Sequence, residues 1–140
     1  PLATLRMLHY PAGNAAPGKI GAGEHTDYGS ITILMGDGEP GLQVKPRGKD
    51  WIDVPMVPGA FIINIADCLM RWTNDIYVST PHRVLIPKNQ RRSLAFFLDP
   101  NPDAVIEALP GTGAAKYAPV TGAEYLKMRL DATYKDKVTA

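Results

Sequence analysis

Cysteine occurs once in the 140 residues, as Cys68, which excludes an internal disulfide and fits a reducing compartment. Long hydrophobic runs are missing too. No apolar stretch approaches the roughly 20 residues that a membrane helix needs, and no secretory leader pattern is visible. Neither sign of charge dominates: 15 Lys and Arg against 14 Asp and Glu leave a formal net charge of +1. Composition therefore gives no case for nucleic acid or an anionic membrane surface. These deficits predict a cytoplasmic protein, and they leave oligomeric state open. The lone Cys68 reads as a small buried residue rather than a nucleophile.

Glycine and proline are plentiful, 13 of each, spread between apolar runs rather than gathered into a linker. Strand-like runs recur at residues 4–10, 20–27, 30–35, 42–45, 51–54, 60–65, 77–84 and 93–98. Turn signals separate them: Gly13-Asn14, Gly36-Asp37-Gly38-Glu39-Pro40-Gly41, Pro46-Arg47-Gly48, Val57-Pro58-Gly59 and Pro87-Lys88-Asn89. This pattern argues for a mainly β sandwich or barrel rather than a parallel α/β fold. The continuous run Phe61-Ile62-Ile63 predicts a strand buried on both faces.

Two helices are expected. A short one falls near residues 67–72. The second spans 122–137, where Thr121-Gly122-Ala123-Glu124 reads as a capping box. Leu126, Leu130 and Tyr134 recur every four residues toward the barrel, with Lys127, Arg129 and Lys135 on the wet side. There is no internal repeat. The chain starts at Pro1 and enters a strand pattern at once, so residues 1–140 are expected to be the C-terminal part of a longer protein.

Histidine is scarce, with three in the chain, and its placement carries the chemistry. His25-Thr26-Asp27 sets an imidazole and a carboxylate two residues apart, which in extended chain puts both on one face. His82 lies in another strand-like run. Two histidines and one carboxylate on one face of a metal, with the remaining positions open, suit a non-haem Fe(II) oxygenase site. A lone His-x-Asp also fits a turn residue beside a surface histidine. The second histidine and Arg91-Arg92-Ser93 on the next run shift the reading toward a metal with an anionic cosubstrate. Arg91 and Ser93, at i and i+2, share one strand face, and Arg92 points the other way.

The segment His25-Thr26-Asp27-Tyr28-Gly29-Ser30-Ile31-Thr32-Ile33-Leu34 closely resembles the metal motif of the isopenicillin N synthase-like family of Fe(II)/2-oxoglutarate-dependent oxygenases. Further blocks agree in order: Gly41-Leu42-Gln43-Val44 with Trp51-Ile52-Asp53-Val54-Pro55, then Pro58 to Asp67. After these come Trp72-Thr73-Asn74-Asp75 with Tyr77 to Val84, and Arg91-Arg92-Ser93-Leu94-Ala95-Phe96-Phe97. The resemblance runs from about Leu5 to Phe97. It implies a double-stranded β-helix, or jelly roll, of eight core strands with a C-terminal α-helix.

What the resemblance implies for the site is specific. Fe(II) would be held by His25, Asp27 and His82. The keto-acid end of 2-oxoglutarate would chelate iron, and its remote carboxylate would dock on Arg91 and Ser93, with the Tyr10 hydroxyl also in contact. O2 is the further cosubstrate, and ascorbate is a candidate reductant. The activity would be oxidation of a small organic molecule, by hydroxylation, desaturation or cyclisation, with release of succinate and CO2. Asn64, Asp67, Trp72, Thr73 and Asn74 read as structural, His9 as structural or solvent-facing, and Arg83 as an ion-pair former. Phe97 and Met70 are candidate pocket residues. Rival readings are a 2-oxoglutarate-independent iron oxidase of the same fold, a non-catalytic jelly-roll binding module and a zinc hydrolase.

Overall fold

A computed structural model describes residues 2–13 and 19–138. Asn14 of the first expected turn lies outside the described residues, as do the side chains of Tyr134 and Lys135. The strands are β1 Ala3–Tyr10, β2 Ala22–His25, β3 Ile31–Gly36, β4 Leu42–Val44, β5 Ile52–Asp53 and β6 Ile62–Ile65. Helix α1, Asp67–Trp72, follows, and then β7 His82–Val84, β8 Arg91–Leu98, β9 Val105–Ile106, β10 Val120–Thr121 and α2 Gly122–Val138. Two of these, β9 and β10, were not expected; they form a small separate sheet. The expected strand over 77–84 is extended chain until His82, where ladder pairing begins.

Two four-stranded antiparallel sheets make the jelly roll: β1-β8-β3-β6 and β2-β7-β4-β5. Their inner faces share one core, in which Leu34 and Ala95 of the first sheet meet Leu42 and Val84 of the second. Register fixes which residues turn inward. Across the larger sheet, Arg6, Ala95, Leu34 and Ile62 form one inward row, and Thr4, Phe97, Thr32 and Asn64 the next. Leu5, Phe96, Ile33 and Ile63 form the corresponding outward row. That outward face is apolar and open, with Leu5 64%, Met7 83% and Ile63 53% exposed. The Phe61-Ile62-Ile63 run is therefore not buried on both sides: Phe61 and Ile63 face outward, and no layer of the described residues covers them.

A second core joins Cys68 of α1, Ile106 of β9 and Tyr125 of α2. Helix α2 starts as its sequence requires. Glu124 accepts from the Thr121 backbone N–H and hydroxyl at 2.8 Å each, and the Glu124 N–H donates back to Thr121 Oγ1 at 3.3 Å. The face it buries differs from the expected one. Tyr125 is buried, Leu130 is exposed, and Arg129 turns inward to pair with Asp67 at 3.2 Å. A buried carboxylate beneath the helix draws the arginine in.

Candidate active site

Strand β2 ends on the first candidate ligand, His25, and the loop after it carries the second, Asp27, with its backbone strapped to the start of α1. A helix start leaves N–H groups without intrahelical partners. Here those groups serve the loop: Ala66 donates to Ser30 O, Asp67 to Asp27 O and Cys68 to Gly29 O, at 2.9–3.0 Å. Cys68 Sγ adds a bond to Tyr28 O at 3.0 Å. Burial raises the Cys68 thiol to about 12, with the nearby Asp67 and Asp99 carboxylates adding to it, which fits the inert reading. Gly29 allows the close approach; a Cβ there would lie 2.7 Å from Leu98 O and collide with the Asp99 carboxylate.

His25 is the last residue of β2 and pairs directly with His82 of β7, so the two rings meet with centroids 4.3 Å apart. Each Nδ1 faces a carbonyl, Gly23 O at 2.7 Å for His25 and Thr80 O at 3.1 Å for His82. A carbonyl only accepts, so each Nδ1 carries the proton and each Nε2 presents a lone pair. Asp27 places Oδ1 3.6 Å from His82 Nε2, while its Oδ2 is buried without a partner. One donor atom from each of the three residues lies within 4.8 Å of the others. Burial holds His82 below the ordinary imidazole value, and the facing His25 adds to that, outweighing the opposing pull of Asp27. A neutral imidazole is the ligand form. An orphaned carboxylate oxygen beside two free imidazole nitrogens fits a divalent cation.

The three residues sit at one end of a cavity of about 270 Å³ between the sheets. Arg91, Ser93 and Tyr10 line the same cavity. Tyr10 is directly opposite Arg91 in the β1–β8 register, with its ring 5.3 Å from the guanidinium carbon. Arg91 is 1% exposed, and its hydrogen bond to Ser93 Oγ is a long 3.4 Å contact. Its Nε and Nη2 have no partner. Among the described residues no carboxylate pairs with this guanidinium. A buried cation costs several kcal/mol unless an anion meets it, so the cavity fits an anionic ligand.

Phe97 and Asn64 also line this cavity, whereas Met70 borders a different groove and its Sδ accepts from the Ser79 N–H. Arg92 and His9 are exposed, as expected. Trp72, Thr73 and Asn74 are structural. Trp72 Nε1 donates to Val105 O, Thr73 Oγ1 to Leu69 O, and Asn74 Nδ2 to Thr112 O and Ala114 O. Arg83 makes no ion pair among the described residues; it donates to Gln43 Oε1 at 2.8 Å and stacks on Trp51 at 4.1 Å. Sequence reasoning missed Arg6, which shares the inward face of β1 with Tyr10 and lines the cavity. Strict alternation from Tyr10 was the signal that could have found it.

The sequence pattern of the 2OG-Fe(II) oxygenase superfamily matches residues 2–100. The chain belongs to the 2OG-Fe(II) oxygenase superfamily. Among relatives of this superfamily, a 2-oxoglutarate-dependent dioxygenase, tropC, of Talaromyces stipitatus is 40% identical over 139 residues, covering 97% of this chain and 42% of that protein. Clavatol oxidase claD of Penicillium crustosum is 39% identical over 143 residues, covering 96% and 42%. A full-length Neurospora crassa protein, solved in complex with alpha-KG and thymine, superposes with a TM-score of 0.87 at 44% identity, covering 94% of this chain and 44% of that one. The chain thus spans less than half the length of these proteins. No helix among the described residues is long and apolar enough to cross a membrane.

Proposed function

We propose that this chain forms the catalytic core of a longer Fe(II)- and 2-oxoglutarate-dependent oxygenase that oxidises a small organic molecule, releasing succinate and CO2. One observation carries the reading. A His-Asp-His cluster with free donor atoms and a buried arginine without an acidic partner line one cavity. Superfamily membership, and relatives named as 2-oxoglutarate-dependent dioxygenases, support it. A cytoplasmic location belongs to the same proposal, supported by the free, buried Cys68.

Within this reading, His25, Asp27 and His82 would hold the metal through one donor atom each, a ligand set that suits Fe(II) with room for a cosubstrate. Bound iron would supply the activation of O2 that couples decarboxylation of the keto acid to oxidation of the substrate. Gly23 O and Thr80 O fix the two imidazoles in the tautomer that offers Nε2. Arg91 would receive the remote carboxylate of 2-oxoglutarate with its planar guanidinium, and Ser93 and Tyr10 would offer hydroxyls beside it. Leu34, Leu42, Val84 and Ala95 keep the space between metal and anchor dry.

The test is anaerobic titration of the full-length protein with Fe(II) and then 2-oxoglutarate, followed by visible absorption and by succinate formation in air. A charge-transfer band that vanishes in His82→Ala, with succinate produced, is the expected result. Stoichiometric Fe(II) binding without the band would favour the 2-oxoglutarate-independent oxidase. No metal binding would favour a non-catalytic module.

A further inference from the structure

In the run His25-Thr26-Asp27-Tyr28 the side chains alternate between two tasks. His25 and Asp27 turn toward the candidate metal position. Thr26 and Tyr28 turn the other way, toward α2. Tyr28 bonds Thr133 at 3.0 Å, and its ring lies 5.0 Å from the Arg129 guanidinium. Thr26 Oγ1 accepts from Arg129 Nη2 at 3.1 Å and donates to Asp67 at 3.3 Å. Asp67, the first residue of α1, is 2% exposed. A single oxygen, Oδ2, receives Thr26, the Tyr125 hydroxyl at 2.9 Å and Arg129 Nη1 at 3.2 Å. The Asp67 N–H meanwhile holds Asp27 O at 2.9 Å. One residue thus grips the ligand-bearing loop by backbone and by side chain, and α2 supplies the charge that keeps its carboxylate buried.

We propose that Asp67 is a positioning residue for the metal ligands, and that α2, acting through Arg129 and Tyr125, sets the affinity of the site for its metal. This rests on the metal-site reading above. Without Arg129 the buried Asp67 carboxylate loses its ion pair, and Thr26 loses its donor. The loop then samples orientations in which His25 and Asp27 no longer converge. A tridentate site owes its affinity to that convergence, and partners that orient ligands contribute roughly ten- to a hundredfold.

The experiment measures Co(II) binding to the full-length protein anaerobically, by the visible absorption of the bound ion, alongside thermal midpoints. Arg129→Met and Tyr125→Phe are expected to weaken Co(II) about ten- to a hundredfold, with Arg129→Lys recovering part of the loss. Thr121→Ala is the control, because it weakens the cap of α2 without touching the network. It is expected to lower the midpoint and leave Co(II) affinity unchanged. Arg129→Met binding Co(II) as the unaltered protein does, or losing affinity only in step with Thr121→Ala, would overturn the proposal. Failure of the unaltered protein to bind Co(II) would instead overturn the metal-site reading beneath it.

Discussion

At the Arg91 end of the cavity, side chains are placed by strand register alone. At the His25–Asp27–His82 end, the β2–β7 ladder places the two histidines, but Asp27 stands beyond the strand and hydrogen bonds hold its loop. Arg91 and Ser93 are two residues apart on β8, and Tyr10 faces Arg91 across the β1 ladder. At the other end, β2 finishes at His25, and Asp27 stands on a loop tied to α1 and, through Thr26 and Tyr28, to α2. The difference follows from what each proposed ligand would demand. A carboxylate needs one planar cation in a dry place, and a strand face supplies that. A metal site of this kind needs three donors converging on a point, and the β2–β7 ladder pair supplies two of them. The third, Asp27, stands on backbone off the ladder, and such backbone needs other anchors.

If the metal end depends on all three donors, Asp27→Ala abolishes Fe(II) binding and turnover; near-normal activity would remove Asp27 from the ligand set. If it also depends on loop anchors, Gly29→Ala weakens metal without removing a donor, because the new methyl strikes Asp99 and Leu98 O. Metal titration of that variant is expected to show a loss of about tenfold or more. If the anion end is independent of those anchors, Arg91→Gln leaves Fe(II) affinity intact. It raises the 2-oxoglutarate KM by about thirtyfold or more, since loss of one partner of a buried charge pair costs roughly 2–5 kcal/mol. A parallel loss of metal would break the comparison. The smallest effect concerns the outer face of the second sheet, the side of β7 opposite His82. Trp51→Leu removes stacking with Arg83 and Lys45. It should cost about 0.5–2 kcal/mol of stability, read by denaturant unfolding, with both affinities unchanged.

The same contrast explains what could be read without a structure. The anion end obeys period-two alternation, so Arg91 and Ser93 on one face, with Arg92 opposite, followed from spacing. The β-rich architecture followed from short apolar runs between Gly and Pro turns, and the α2 start from its capping box. The candidate triad was legible as residue types and order, yet the loop that carries Asp27 is held by α1 N–H groups about forty residues away, and no local pattern encodes that. Arg129 was assigned to solvent by helical periodicity. The attraction of buried Asp67 overrode it, and Asp67 itself read only as structural. The outward Phe61 and Ile63 misled in another way: hydrophobicity marks surface that wants cover, not surface that has it.

The unpaired guanidinium of Arg91 has a consequence for the lifetime of the protein. A cation folded into the interior without a counter-charge makes the native state less favourable until its anion arrives. Ligand and fold are then linked by mass action, and a ligand at a hundred times its dissociation constant adds about 2.7 kcal/mol to stability. Where turnover follows the unfolded fraction, the steady level of this protein would follow the supply of the anion proposed to dock on Arg91.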